Sequence, residues 1–418
     1  MKDRLIITGG NPLQGKVRIS GAKNAGLVLM AASILAAGET ILDNVPHIQD
    51  VDVMIELLND LGVHTQWNDD KSLSICPTSG PIKKETSYEL SKRLRASNLL
   101  LGSMLGQVSE TRISMPGGCD IGSRPMDLHL KGLQAMGVEI DIEHGYIYAR
   151  AKKAKGARVY LDFPSVGATE NIMMMAAKTP GITIIENAAK EPEIVDLANF
   201  LNSMGAKIRG TGTDLIKIEG VEELNPVRYA IIPDRIEAGT YMVAASITAG
   251  ELLVENIIPT HLYPIIAKLQ ETGTYVEETD QGILVRGSKT IKHVDIKTLP
   301  YPGYPTDMQS PMMALLALSD GSSMVVENVF ENRFQIVDEL NRMGANIKVE
   351  GHTAIINGVK NLCGACVKAT DLRAGAALVI AALGAQGTTE IENAYHIFRG
   401  YEDIAVKLSQ LGARVEIS

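Results

Sequence analysis

The sequence predicts an α/β protein of two domains, each made of three repeats of about 70 residues packed around buried helices. Three features carry the prediction: a glycine that recurs at nearly constant spacing, a second glycine series before it, and intervening runs of alternating polarity. The first series is Gly62, Gly137, Gly205, Gly273, Gly344 and Gly412, which recur at a nearly even period. Each follows an amphipathic segment, as expected of a left-handed helix terminator. The second series is Gly38, Gly106, Gly181, Gly250, Gly321 and Gly387, each read as stopping an Ala/Leu/Met-rich helix. At 418 residues the chain exceeds what one hydrophobic core usually serves, which fits two domains.

Each element of the repeat has a local reason. The first helix, such as 27–37 or 374–383, is apolar nearly all round and should be buried on every side. The second is amphipathic: Val53, Ile55, Leu57 and Leu58 alternate with Glu56 and Asp60, so it should cover an outer face. Runs such as 215–220 and 283–287 read as strands. The last repeat ends in one strand, 414–418, without the partner strand found in the others. Leu5-Ile6-Ile7-Thr8-Gly9-Gly10 has the pattern of Ala354-Ile355-Ile356-Asn357-Gly358 and can supply it. An unpaired edge is costly, so the termini are expected to pair. The first domain is then 22–228, and the second is 1–21 plus 229–418.

Composition excludes several classes. Against 49 acidic residues stand 40 basic ones, a formal charge of −9, which argues against a nucleic-acid or anionic-membrane binder. The longest apolar helical stretch is too short to span a bilayer, so a cytoplasmic protein is expected. Four cysteines are too few for a disulfide framework, and Cys363-Gly364-Ala365-Cys366 lacks a second ligand pair, so no metal is expected. Gly21-Ala22-Lys23-Asn24-Ala25-Gly26 lacks the Lys-Ser/Thr ending of a P-loop, and 210–215 lacks the third glycine of a dinucleotide fingerprint. Zinc-protease and serine-hydrolase motifs are also missing.

The chemistry should sit at the helix starts. Lys23, Val166 and Arg235 stand at one and the same distance before their terminating glycines, Gly38, Gly181 and Gly250. Asp307 and Arg373 stand one position closer to theirs, and Arg95 four positions closer. Parallel buried helices would share one end, where their dipoles attract an anion. Lys23, Arg95, Arg235 and Arg373 are disfavoured at a helix start unless an anion is bound there. Asp234, Asp307 and Asp371 can be read either as N-caps or as ligands. A reactive loop is the other candidate: Cys119 sits among Gly117, Gly118 and Gly122, with Arg124 close behind to favour a thiolate. The alternative is an ordinary Gly-Pro turn. The interval from Gly106 to Gly137 is longer than its counterpart in every other repeat, which favours an inserted functional loop.

Eight segments in order resemble the enolpyruvyl transferase family, on the side that acts on UDP-N-acetylglucosamine, over essentially the whole chain. They are Ser20-Gly21-Ala22-Lys23-Asn24-Ala25, Leu94-Arg95-Ala96-Ser97, Pro116-Gly117-Gly118-Cys119 through Asp127-Leu128-His129, and Ser165-Val166-Gly167-Ala168-Thr169. The others are Pro233-Asp234-Arg235-Ile236-Glu237, Pro305-Thr306-Asp307-Met308-Gln309, Glu331-Asn332-Arg333-Phe334 and His396-Ile397-Phe398-Arg399-Gly400-Tyr401-Glu402. The resemblance implies two inside-out α/β barrel domains that close over substrate. It implies transfer of the enolpyruvyl group of phosphoenolpyruvate to the 3-hydroxyl of UDP-N-acetylglucosamine with release of phosphate, the first committed step of peptidoglycan synthesis.

By the same resemblance, Lys23, Asn24, Arg124 and Arg399 would bind phosphoenolpyruvate. Asn24, Arg95, Arg124, Pro125, Met126, Asp127, Leu128, Ser165, Val166, Asp307 and Val329 would bind the UDP-sugar. Cys119 would act as general acid, carry a covalent pyruvate or phosphoenolpyruvate adduct, and be the residue alkylated by fosfomycin. Asp307 would take the hydroxyl proton or serve only in binding, with Lys23 and Arg399 completing the catalytic set. Asp50, Asp234, Arg235, Arg333, Asp371 and Arg373 would support them. No cofactor is implied. Some relatives carry a lysine where this chain has Gln49. Two alternatives stay open: an enzyme acting on shikimate 3-phosphate, and a non-catalytic UDP-sugar-binding paralogue.

Overall fold

The computed structural model describes residues 4–77, 81–115 and 126–418, which divide into two compact units. The first lies within residues 21–232, the second within 4–20 and 233–418. No helix among the described residues is long and apolar enough to cross a membrane.

In the first unit the buried helices are Lys23–Ala32, Leu100–Val108 and Val166–Lys178. Every residue from Ala168 to Ala177 is buried. Each large apolar side chain so placed contributes about 1.5–3 kcal/mol, far above the few tenths by which helix propensities differ, so packing holds this helix. Three sheets cover the helices. In one, Arg228–Ala230 runs parallel to Thr40–Asp43, which pairs antiparallel with Leu73–Pro77 and through it with Val63–Trp67. In the next, Tyr146–Arg150 lies between Glu110–Ser114 and Glu139–Glu143. In the third, Arg158–Tyr160 runs parallel to Ile182–Glu186, followed by Leu215–Glu219 and Lys207–Arg209. Because Arg228–Ala230 joins this unit's sheet, the chain leaves the unit only after Ile232.

The second unit repeats the plan with buried helices Arg235–Ile247, Gln309–Leu316 and Leu372–Gly384. Its N-terminal strand Arg4–Thr8 lies between Thr388–Glu392 and the last strand, Arg414–Ile417. Leu5 faces Ile391 on one side and Ile417 on the other, and the Arg4 and Ser418 backbones exchange hydrogen bonds of 3.2 and 3.1 Å. The first and last strands thus close one sheet.

The six glycines of the first series all adopt φ between 87° and 108°, where a side chain costs roughly 1 kcal/mol or more. Two members of the second series are not themselves left-handed: before Gly250 the stop is Ala249 at φ 48°, and the other departs further. Gly106 lies inside the helix Leu100–Val108, and the left-handed stop is Ser109 at φ 59°. Gly106 answers to packing instead: a Cβ there would meet Leu35 Cδ2 at 2.9 Å. Counted to Ser109, Arg95 falls into register with Asp307 and Arg373, and the long interval before Gly137 shortens by three positions.

Candidate functional site

The first unit gathers predicted residues at its helix starts. Lys23 opens a helix with no side-chain cap, and its Nζ lies 3.2 Å from Asp50 Oδ2. Asp50 is buried in the first turn of the helix Gln49–Asp60, so a carboxylate supplies Lys23 with an internal counter-charge. Asn24, beside it, is exposed. Arg95 is half-buried in the short turn Arg95–Leu99. Met126 is buried and its thioether accepts from the Asn98 amide, while Asp127 is exposed at the start of the next helix and Leu128 is half-buried. Ser165 caps the Val166–Lys178 helix, its Oγ accepting from the Ala168 N–H at 3.4 Å.

The imidazole of His129 is buried in the same region. Burial, then the charge of Arg95, lowers its pKa to about 4, so it is neutral at physiological pH. Deeper in the unit, burial pushes Glu170 well above the usual carboxylate range, with Glu193 and Glu191 adding to the effect. Burial also raises Asp196 to about 6, although Tyr229 donates to its carboxylate at 2.7 Å.

In the second unit the centre is Asp307. Its Oδ1 lies 2.8 Å from Arg333 Nη2 and its Oδ2 2.9 Å from Arg373 Nη2, and both guanidinium groups are almost fully buried. Arg373 also donates to Tyr401 Oη at 3.1 Å, which in turn bonds Thr240 at 2.9 Å. Burial disfavours the charge on Arg373, but Asp307 and Tyr401 outweigh it and hold its pKa above the ordinary arginine value. Asp234 and Asp371 are N-caps: Asp234 accepts from the N–H groups of Ile236 and Glu237 at 2.8 and 3.0 Å, and Asp371 from those of Arg373 and Ala374 at 2.8 and 3.1 Å. Asp307 has the other role, joining two cations. Arg235 lies over the Tyr301 ring, and Arg399 follows the short helix Tyr395–Phe398. Burial, then Arg399, lowers the pKa of His396.

Sequence reasoning missed Glu327. It is buried, its Oε1 accepts from Thr298 Oγ1 and from the N–H groups of Val329 and Phe330 at 2.9, 2.8 and 3.1 Å, and its Oε2 accepts from Thr306 Oγ1 at 2.9 Å. One carboxylate therefore fixes the neighbour of Asp307 and the backbone of Val329, two residues predicted to bind the same ligand. A glutamate at a strand end gives no sequence signal for such a task. Asn171 was also missed, although a lone amide within an apolar helix is a readable signal. Cys119, Arg124 and Pro125 lie outside the described residues. Cys363 and Cys366 are free and exposed, and among the described residues no group of three or more His, Cys, Asp or Glu could hold a metal ion.

A family model described as EPSP synthase (3-phosphoshikimate 1-carboxyvinyltransferase) matches residues 7–408. Among relatives, the UDP-N-acetylglucosamine 1-carboxyvinyltransferase 1 of Caldanaerobacter subterraneus subsp. tengcongensis is 56% identical over 415 residues, covering 99% of both chains. The UDP-N-acetylglucosamine 1-carboxyvinyltransferase 2 of Carboxydothermus hydrogenoformans is 55% identical over 416 residues, again covering 99% of each. Of solved structures, the enolpyruvyl transferase NikO from Streptomyces tendae superposes with a TM-score of 0.89 at 25% identity, over 99% of this chain and 98% of that one. EPSP synthase from Acinetobacter baumannii superposes at 0.78 with 20% identity over the full length of both, which speaks to fold alone. With six repeats in two units and full-length matches of this kind, the chain belongs to the enolpyruvyl (1-carboxyvinyl) transferase family and has its two-domain inside-out α/β fold.

Proposed function

We propose that this chain transfers the enolpyruvyl group of phosphoenolpyruvate to the 3-hydroxyl of UDP-N-acetylglucosamine, releasing phosphate, as the first committed step of peptidoglycan synthesis. The observation that carries this is identity above half, over 99% of the chain, to relatives named for that activity. Both substrates are water-soluble anions, and we place the reaction in the cytoplasm.

The chemistry assigns tasks to the residues. An acid protonates the methylene carbon of phosphoenolpyruvate while the sugar hydroxyl adds to the adjacent carbon. Loss of a methyl proton and of phosphate from the tetrahedral adduct then regenerates the double bond. Cys119 is the proposed acid, the carrier of a covalent adduct and the target of fosfomycin. Lys23, Asn24, Arg124 and Arg399 are proposed to hold phosphoenolpyruvate, whose phosphate and carboxylate suit cationic donors. The remaining helix-start residues, Arg95, Met126, Asp127, Leu128, Ser165 and Val166, with Arg124, Pro125, Asp307 and Val329, are proposed to hold the sugar nucleotide.

The anchored carboxylate of Asp307 supports a role in orienting the sugar hydroxyl: two guanidinium groups fix its position, so one lone pair can be aimed without reorganisation. Glu327 supports the same reading by fixing Thr306 and Val329 from behind. Phosphate release from phosphoenolpyruvate, measured with UDP-N-acetylglucosamine and separately with shikimate 3-phosphate, tests the proposal. Release with the first alone is expected. Release with the second alone would assign the chain to the other branch, and release with neither would favour a binding protein.

A further inference from the structure

Asn171 lies fully buried in the helix Val166–Lys178, and the three contacts of its Nδ2 reach segments where ligand binding is proposed, while its Oδ1 ties them to the neighbouring helix Leu100–Val108. Its Oδ1 accepts from the Gly102 N–H at 2.6 Å. Its Nδ2 faces Asn98 O at 3.1 Å, Gly167 O at 3.2 Å and His129 Nδ1 at 2.9 Å. Asn98 belongs to the Arg95–Leu99 turn, His129 to the Asp127–Ala135 helix, and Gly167 follows Ser165 and Val166.

These partners fix the amide's orientation. A backbone N–H can only donate and a backbone carbonyl can only accept, so a flipped amide would oppose donor to donor and acceptor to acceptor. Nδ2 must therefore be the donor toward His129, and Nδ1 of the ring must be its unprotonated acceptor. An imidazolium would place an N–H against an N–H. The ring is also pressed on the helix backbone: a Cβ added at Gly167 would lie 2.9 Å from His129 Cε1. Among the described residues, Arg95 is the charged group that acts on the ring, and its charge opposes a second proton there.

We propose that Asn171 is a positioning residue for the sugar nucleotide: its amide fixes His129 as the neutral Nε2–H tautomer and locks together the segments bearing Arg95, Asp127–Leu128 and Ser165–Val166. The binding half of this inference rests on the function proposed above. A buried polar hub of this kind, fully satisfied, specifies one arrangement where apolar packing would tolerate several. Asn171→Asp keeps the shape but turns the donor into an acceptor, so it should draw a proton onto His129 Nδ1.

The test uses the full chain with ring-15N histidine, the His129 signals being identified by their loss in His129→Gln. In the wild type, Nδ1 should stay unprotonated and the ring should not titrate between about pH 5 and 8. In Asn171→Asp the ring should gain a proton on Nδ1 and titrate. The Kd for UDP-N-acetylglucosamine, read by calorimetry, should rise about tenfold or more and become pH-dependent, with little change in the KM for phosphoenolpyruvate. A wild-type ring that titrates or carries Nδ1–H, or an unchanged Kd in Asn171→Asp, would overturn the inference. Should Asn171→Asp not fold, Gly167→Ala displaces the ring without touching the amide, and an unchanged Kd there is equally contrary. If the wild type binds no UDP-N-acetylglucosamine while its tautomer is as stated, the binding reading fails and the tautomer assignment stands.

Discussion

Replacing Asp307 by Asn separates anchoring from chemistry, because the two guanidinium groups that meet its carboxylate have almost no access to water. Their side chains are 3% and 4% exposed, against 24% for Asp307 itself. Asn keeps the shape but offers one guanidinium an NH2 group, donor against donor, and deprives two buried cations of the counter-charge they share. Removing one partner of a buried ion pair typically costs about 3–5 kcal/mol. Partial exposure of Asp307 reduces this, and Arg373 keeps its bond to Tyr401, so we expect about 2–3 kcal/mol. For a unit of roughly 200 residues that corresponds to a fall in Tm of about 5–10 °C. Differential scanning calorimetry of the full chain reads this directly, alongside phosphate release. The opposite result is informative, since a carboxylate held against its neighbours for chemistry alone stabilises a protein when removed. If Asp307→Asn is as stable as the wild type or more so, the double anchoring described above is wrong.

Other substitutions address separate parts of the account. Glu327→Gln should raise the KM for UDP-N-acetylglucosamine by about tenfold while altering the KM for phosphoenolpyruvate little, because an amide cannot accept from Thr306, Thr298 and Val329 as the carboxylate does. Equal changes in both constants would count against it. Asp196 carries a raised pKa in the fold, so the stability it contributes is complete below about pH 4 and is lost as pH rises through about 6. That loss is worth about 3 kcal/mol at most. His129, with a lowered pKa, acts in the reverse sense, its contribution being present above about 6.5 and lost as pH falls through about 4. Compared with the wild type, Asp196→Asn should therefore gain stability as pH rises from about 4 to above 6, and denaturant melts in which the difference between the two stays constant across that window would contradict the assignment. Cys119→Ser should nearly abolish turnover and fosfomycin labelling, and mass spectrometry that finds the label on Cys363 instead would refute the role. Arg399→Ala should weaken use of phosphoenolpyruvate and spare UDP-sugar binding, as calorimetry with each ligand can check.

The repeat was legible because its punctuation is steric: the six left-handed glycines sit where other residues are strained, and their spacing is visible in the letters alone. Pairing of the terminal strands followed from a repeat one strand short. Gly106 misled because glycine also serves inside helices where two backbones approach closely, and it stands only three positions before Ser109. At the helix starts, the residue type could not decide between cap and ligand. Asp234 and Asp371 proved to be caps, while Asp307 is held by Arg333 and Arg373, which are 26 and 66 residues away in sequence. Glu327 was invisible for the same reason: its partners are assembled by the fold and not by any local pattern.

The central claim is enolpyruvyl transfer to UDP-N-acetylglucosamine by protonation of the methylene carbon followed by elimination. Running the reaction in D2O and analysing the product by mass spectrometry and NMR tests it most directly. The expected product is a UDP-N-acetylglucosamine enolpyruvyl ether carrying solvent deuterium on its vinyl carbon. An ether without deuterium there would contradict the addition-elimination route, and no ether at all would contradict the function.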